Sequence, residues 1–127
     1  MNGSNREFVV HTRNNPRGLI LVPFTVGDLY ELPLVLNTGY VVSCISAGVR
    51  DVLSALGYLQ QTGRSSYLLG DLSVGGQAVA ALEVRVNRAV ALIGVEGILG
   101  LNFLADHRGE VSFQCHTPPN VGSLTLP

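Results

Sequence analysis

The feature that most constrains this chain is its division into short apolar runs, most of which are followed by glycine, asparagine or proline. Residues 19–26 and 32–36 are rich in aliphatic side chains, and Gly27-Asp28 lies between them, so the two runs predict a β-hairpin. Further strands are predicted by the same pattern over residues 41–45, 67–74, 77–86, 89–93, 111–115 and 121–126, with a tight turn at Gly75-Gly76. Many short strands separated by turns indicate a β-barrel or a β-sandwich.

Two segments have the pattern of short helices. Val49, Val52, Leu53 and Leu56 follow helical spacing, and Gly57 suits the end of a helix, so residues 49–56 are predicted to be helical. Residues 101–107 have the composition of a second short helix. The chain is therefore predicted to be mainly β, with one or two short helices.

The composition limits the partners that this chain can have. Hydrophobic residues make up 46% and charged residues only 13%, which fits either a compact domain with a large apolar core or a domain with a buried subunit interface. The net charge is −1, and the basic residues are arginines scattered along the chain. No basic stripe is formed, so nucleic acid is not a predicted partner.

The cysteines and histidines do not have the spacing of a metal site. Cys44 and Cys115 lie far apart and form no Cys-x-x-Cys motif, and His11, His107 and His116 are not paired at ligand spacing. No metal and no cofactor are predicted. Free thiols in a reducing compartment are the simpler reading of the two cysteines, although a disulfide between them is left open.

The length of 127 residues is that of one domain. Residues 1–17 are polar and are predicted to be an N-terminal arm, followed by a single domain over residues 18–127. The first residues lack the apolar region of a secretory signal, and no apolar run is long enough to span a membrane. We expect a soluble, intracellular domain with no membrane partner.

Two motifs carry the functional prediction. The first, residues 34–45, is an apolar strand followed by Asn37-Thr38-Gly39 and a second apolar run. The second, residues 97–104, reads Gly-Ile-Leu-Gly-Leu-Asn-Phe-Leu. Taken alone, the first is typical of a turn and the second of a buried strand that ends in a bend.

Together and in this order, the motifs resemble those of the retropepsin family of aspartic proteases, which includes retroviral proteases and their cellular Ddi-type and bacterial relatives. That family has an apolar strand, then Asp-Thr/Ser-Gly, a downstream Ser or Thr with an apolar residue, and later two apolar residues with glycine. The matching positions here are Thr38, Gly39, Ser43, Ile45, Ile98, Leu99 and Gly100. The resemblance covers about residues 19–115 and implies a closed, mainly antiparallel acid-protease barrel.

The resemblance also implies how such a domain would work. Each monomer supplies one catalytic aspartate, here at position 37, so the site exists only in a homodimer that binds a peptide or protein substrate. Thr38 resembles the threonine that bridges the two active-site loops, and Gly39 lets the backbone turn beside the substrate. The implied support for the active-site loop comes from Ser43, Ile98, Leu99 and Gly100.

Substrate contacts are implied at three further positions. Tyr40 and Val41 follow the motif directly, and a bulky Tyr40 would narrow the adjoining subsite. Residues 60–67, around Gly63, match the position of the flap that closes over the substrate in this family.

The sequence departs from the family at the catalytic position itself. Asn37 stands where the family has aspartate, and an amide cannot serve as a general base, so we expect the chain to be inactive as a peptidase. Two explanations stay open: an engineered inactivating change, or a degenerate, non-catalytic relative. Asn102 also stands in place of an aspartate, and two such differences favour drift.

Two other functions stay open. One is a non-enzymatic dimerisation or peptide-binding module on the same fold. The other is an unrelated β-barrel binding domain in which the motifs occur by coincidence.

Overall fold

A computed structural model of the chain describes residues 8–14, 19–107, 110–112 and 121–126. Within these residues, twelve strands belong to one curled sheet, with three short helices. The strands are β1 (Phe8–Asn14), β2 (Ile20–Val26), β3 (Tyr30–Leu36), β4 (Ser43–Ile45), β5 (Leu59–Gln61), β6 (Ser66–Leu69), β7 (Leu72–Val74), β8 (Gln77–Ala78), β9 (Leu82–Val86), β10 (Gly97–Leu99), β11 (Glu110–Ser112) and β12 (Val121–Leu126). The helices are α1 (Ala47–Ala55), α2 (Ala89–Leu92) and α3 (Leu101–His107). The predicted mainly β, barrel-like fold is confirmed, with one helix more than expected.

The predicted hairpin forms as β2 and β3, and its side chains alternate between the core and the surface. Val22 and Phe24 are buried, whereas Pro23 between them is exposed. Gly27 ends β2 with a φ of 62°, and a side chain there would collide with the hydroxyl of Tyr58. The turn therefore needs glycine both for its backbone angle and for space.

The end of β3 lies where the sheet is not purely antiparallel. β10 pairs in parallel with β3 and antiparallel with β4, and β4 pairs in parallel with β9. In the strand order, β10 separates β3 from β4. The loop of residues 37–42 that joins β3 to β4, here called the site loop, therefore crosses the end of β10.

The main core ties α3 to the sheet. Phe103 of α3 and Phe24 of β2 are both buried, and their rings pack edge to face with centroids 5.3 Å apart and planes at 85°. Such a ring pair contributes about 0.5–1.5 kcal/mol beyond the area that it buries. This contact fixes α3, whose first residues support the site loop.

Helix α1 confirms the predicted helix with slightly earlier bounds. Ser46 caps its N-terminus, because its Oγ accepts a hydrogen bond from the N–H of Val49 at 3.2 Å. Gly57, with a φ of 82°, follows its end as predicted. Half of the predicted apolar face, Val49 and Leu53, is buried. The other short helix, predicted over residues 101–107, is confirmed as α3.

The two long strands predicted over residues 67–74 and 77–86 are each divided, although the turn at Gly75-Gly76 joins β7 to β8 as expected. Between β6 and β7, Asp71 has a φ of 51°, and its carbonyl oxygen accepts a hydrogen bond from the Gly27 N–H at 2.8 Å. The chain turns here because β6 pairs with β9 whereas β7 pairs with β2. A change of strand partner is a tertiary feature that local residue preference does not reveal.

The strand predicted over residues 89–93 is wrong, because this segment contains α2. Asn87 favours the helical turn, since its Oδ1 accepts a hydrogen bond from the N–H of Ala89 at 2.9 Å. Ala and Leu also have good helix propensity. Only Val90 of the four helical residues is buried.

Two segments near the ends of the chain take part in the sheet. Within the predicted arm, Phe8–Asn14 forms β1, which pairs with β12 and β2, while the division of the chain at residue 17 stays a prediction. The predicted strand over residues 121–126 is confirmed as β12. Of the strand predicted over residues 111–115, residues 111–112 belong to β11, and Cys115 lies outside the described residues.

None of the helices in the described part of the chain is both long and apolar enough to cross a bilayer.

Candidate active site

The site loop brings the three predicted catalytic positions together at an exposed turn. The N–H of Asn37 donates to the carbonyl oxygen of Leu99 on β10 at 3.0 Å. The N–H of Tyr40 donates back to the carbonyl oxygen of Asn37 at 3.2 Å, which closes the turn. Asn37, Thr38 and Gly39 are all exposed. The motif thus forms a tip that is anchored to β10 at its base and open to solvent at its end.

The Asn37 side chain has a defined orientation. Its Oδ1 accepts a hydrogen bond from the Gly39 N–H at 2.9 Å. A Cβ atom at residue 39 would lie 3.0 Å from that oxygen, so the glycine leaves room for this contact. The contact needs only an acceptor oxygen, which a carboxylate would supply equally well.

Gly100 lies directly beneath the site loop, as predicted for a supporting residue. A Cβ atom there would lie 2.7 Å from the carbonyl oxygen of Tyr40 and 3.0 Å from the nitrogen of Ser43. Both neighbours are backbone atoms that cannot rotate away. Only glycine lets the two segments approach so closely.

Ser43 joins the two motifs through its side chain. It is completely buried, and its Oγ accepts a hydrogen bond from the Gly100 N–H at 2.9 Å and donates one to Oδ1 of Asn102 at 2.8 Å. The hydroxyl therefore both donates and accepts, as a buried hydroxyl should. Its predicted role as a support of the loop agrees with these contacts.

Asn102 uses both ends of its amide. Its Oδ1 accepts hydrogen bonds from the N–H and the hydroxyl of Ser43, and its Nδ2 donates to the carbonyl oxygen of Glu83 at 2.8 Å. An ionised carboxylate could not make the last bond, because it has no proton to donate. Asn102 thus has a structural reason to be an amide, and it gives no support to the drift explanation of Asn37.

The first turn of α3 completes the support. The N–H groups of Leu101 and Asn102 donate to the carbonyl oxygens of Tyr40 and Val41 at 2.8 and 2.9 Å. These N–H groups would otherwise lack an intrahelical partner. The helix start and the site loop therefore satisfy each other's backbone groups.

Ile98 and Leu99 of β10 are covered on both sides. Leu99 belongs to the main core, and Ile98 belongs to a smaller cluster with Cys44 and Val90. A strand buried on both faces needs consecutive apolar residues, which accounts for the Ile-Leu pair of the motif.

Tyr40 and Val41 differ in environment although both were predicted to touch substrate. Tyr40 is half-buried and packs against the smaller cluster, whereas Val41 is 71% exposed. Tyr40 is therefore partly a packing residue, and Val41 is the one of the two that is free to meet a ligand.

Gly63 lies in an exposed turn between β5 and β6, so the predicted hairpin exists. The turn is closed by the Thr62 N–H, which donates to the Ser66 carbonyl oxygen at 2.9 Å, and by Nε2 of Gln61, which donates to the Gly63 carbonyl oxygen at 2.8 Å. In the strand order, β6 is separated from β4 by β9. The role of this hairpin as a flap stays a prediction.

A pocket beside the site loop contains residues that the sequence did not single out. It has a volume of about 470 Å³, and Arg85, Asn87 and Arg88 line it together with residues 39–42. Arg85 lies at an exposed position of β9, as expected for alternate residues of a strand. No local sequence pattern indicates that β9 pairs with β4. A larger pocket of about 640 Å³ lies beside Gly27, away from the site loop.

Cys44, which lines the same pocket as Arg85, has a buried free thiol. Burial raises the pKa of Cys44, and the Asn87 side chain and the Arg85 charge partly oppose that rise. Within the residues that the structure describes, no three His, Cys, Asp or Glu side chains are grouped as metal ligands would be. The polar groups in the described part of the site are thus backbone, amide, hydroxyl and thiol groups, with two guanidinium groups nearby.

Comparison with known proteins identifies the fold. A scan against models of protein families and a search of curated proteins gave no match. Among solved structures, the chain is similar to a retropepsin-like aspartic protease from Rickettsia conorii, with a TM-score of 0.66 and 12% identity over 99% of this chain and 96% of that one. It is also similar to the retroviral protease-like domain of Ddi1 from Leishmania major, with a TM-score of 0.54 and 16% identity over 86% of this chain and 94% of that one. The chain therefore has the retropepsin-like fold that its two motifs predict.

Proposed function

We propose that this chain is a homodimeric, retropepsin-like endopeptidase domain whose hydrolytic step is switched off by Asn37. The proposal rests chiefly on the geometry of that side chain. It is exposed at the end of β3, with Oδ1 held by the Gly39 N–H at 2.9 Å. An aspartate at this position would offer one oxygen to the same N–H and the other to a substrate-side water.

The chemistry explains why one amide is enough to stop the reaction. Aspartic peptidases hold a water between two carboxylates that share a proton, so that one carboxylate acts as base and the other as acid. An asparagine amide does not ionise and cannot take the proton of the water. A dimer of this chain would hold peptide at two amides without cutting it.

The homodimer is proposed because one chain supplies only one such loop. A second copy related by a two-fold axis would bring an identical loop opposite the first. The low charged content of 13% supports a surface that a partner covers.

The test is the substitution Asn37→Asp. The variant and the unchanged chain are incubated with a peptide library from acidic to neutral pH, and new peptide ends are identified by mass spectrometry. We expect cleavage by Asn37→Asp alone, with a maximum at acidic pH where the pair of carboxylates shares one proton. Analytical ultracentrifugation of both proteins measures the dimer.

Asn102→Asp is the matched control, because it makes the same chemical change at a position that supports the loop without reaching its tip. It should not cleave any peptide. If Asn37→Asp is a folded dimer and cuts nothing, the endopeptidase proposal is wrong.

A second candidate is a non-enzymatic peptide-binding or dimerisation module on the same fold. It is favoured by Tyr40, whose ring packs against the small cluster and occupies space on one side of the loop. Peptide binding by the unchanged chain, together with no cleavage by a dimeric Asn37→Asp variant, would support this candidate.

A further inference from the structure

The pocket beside the site loop is positively charged. The loop contributes Gly39, Tyr40 and Val41 to its lining, and Arg85 and Arg88 also line it. Both arginines are exposed, and no aspartate or glutamate is among the described residues that line this pocket. A concave surface with two guanidinium groups and no acidic group attracts an anion.

Neither arginine is neutralised by an ion pair in the described residues. The ion pair found there joins Arg50 to Asp51 on α1. Glu83 lies two positions before Arg85 on the same side of β9, but it does not line the pocket. Among the described residues, therefore, nothing competes with the carboxylate of a ligand for these two guanidinium groups.

The backbone that carries the arginines is fixed against the strand that follows the site loop. Arg85 pairs with Cys44 in the parallel register of β9 and β4. The N–H of Asn87 donates to the carbonyl oxygen of Ile45 at 3.0 Å, and its Oδ1 accepts from the Ala89 N–H at 2.9 Å. Charged groups on such a fixed segment lose less freedom when a ligand binds.

Cys44 also lines the pocket. Burial raises the pKa of its thiol, and the Asn87 side chain and the Arg85 charge partly oppose that rise. Gly39, which lines the same pocket, is two residues from Asn37. A peptide that reached the loop tip in an extended conformation would pass this pocket with an adjacent side chain.

We propose that this pocket selects an acidic side chain, aspartate or glutamate, of the peptide that binds at the site loop. The inference rests on the proposed function, because the peptide must lie along the site loop. It adds a substrate preference that neither motif indicates, since both arginines lie outside the motifs. The apolar neighbours Val41 and Val86 are suited to the methylene groups of such a side chain.

The test uses the unchanged chain, which we expect to hold peptide without cutting it. Fluorescent peptides with acetylated and amidated ends carry glutamate, glutamine or lysine at one position at a time, and binding is measured by fluorescence anisotropy. The blocked ends exclude a terminal carboxylate as the recognised group. At one position we expect glutamate to bind about tenfold more tightly than glutamine, as for a hydrogen bond to a charged group, and lysine to bind least well.

The variants Arg85→Gln and Arg88→Gln should each reduce this preference, and the double variant should abolish it while keeping its affinity for the glutamine peptide. Arg50→Gln removes the same charge on α1, away from the pocket, and should keep the full preference. Circular dichroism checks that every variant is folded. The preference should also weaken as salt is added.

Two outcomes would overturn the inference in distinguishable ways. Peptides that bind equally well with glutamate and glutamine, or a preference that survives in the double variant, would reject the acidic pocket and leave the proposed function in place. A chain that binds none of the peptides would contradict the proposed function, and the inference would fail with it.

Discussion

Asn37 and Asn102 are the same residue type at two motif positions, but their surroundings are opposite. Asn37 lies at an exposed turn, and its one described side-chain hydrogen bond needs an acceptor oxygen. Asn102 is half-buried, and its amide accepts from Ser43 and donates to the Glu83 carbonyl oxygen. The amide of Asn102 is therefore required by the fold, whereas that of Asn37 can be exchanged for a carboxylate without loss of a described contact.

The largest effect is expected from closing the space beneath the site loop. Gly100→Ala would place a methyl group 2.7 Å from the Tyr40 carbonyl oxygen and force two backbone segments apart. We expect a loss of about 3 kcal/mol in the free energy of unfolding, measured by chemical denaturation. Because the site loop must move, peptide binding should fall as well.

Gly48→Ala is the matched control, since no atom lies within 4 Å of a Cβ at this position in α1. It should raise the free energy of unfolding by about 0.5–1 kcal/mol, because alanine is the better helix former. Equal destabilisation by both variants would contradict the close approach of β10 and the loop.

An intermediate effect on the free energy of unfolding is expected from replacing Asn102 by aspartate, and almost none from the same change at Asn37. Asn102→Asp replaces a donor with an acceptor that faces the Glu83 carbonyl oxygen, so we expect a loss of about 2 kcal/mol. Asn37→Asp keeps the contact with the Gly39 N–H and should change the free energy of unfolding by less than about 0.5 kcal/mol. Both are measured by urea denaturation at neutral pH, where a carboxylate at residue 102 is ionised and has no proton to donate. Similar losses for the two variants would show that the comparison between them is wrong.

The smallest effect on the free energy of unfolding is expected at Glu96, whose side chain makes none of the described hydrogen bonds around the site loop. Glu96 precedes β10, and its backbone carbonyl oxygen accepts a hydrogen bond from the Ser46 N–H, while most of its side chain is exposed. Burial of the remaining part raises the pKa of the Glu96 carboxyl, so its protonation favours the folded state. That stabilisation is present below the ordinary pKa of glutamate and is lost as the pH rises through the folded-state pKa.

Glu96→Gln should therefore raise the free energy of unfolding at neutral pH by less than about 0.5 kcal/mol, because the group is largely exposed. The gain should vanish at strongly acidic pH, where the glutamate is already protonated. Thermal unfolding of both proteins across this pH range measures it, and a gain that does not depend on pH would contradict the assigned cause.

The sequence predicted best where local pattern and tertiary structure agree. The β2–β3 hairpin, α1 and α3 follow from alternation, helical spacing and glycine stops, and the two motifs led to the right fold. Prediction failed where the chain changes partners, as at Asp71, and where a short segment such as α2 is decided by one Asn87 side chain. The arginine-lined pocket could not be predicted, because it depends on the parallel pairing of β4 with β9.

The position of β10 between β3 and β4 has a consequence for the order of folding. Ser43 and Gly100, which hold the site loop together, are 57 residues apart in the chain. Contacts between such distant residues form slowly, because the loss of chain entropy precedes the gain from contact. We therefore expect the β2–β3 hairpin to form early and the site loop to acquire its final shape only when residues 97–102 dock. An incompletely folded chain would then have no working site, so the geometry that binds peptide would arise together with the finished domain.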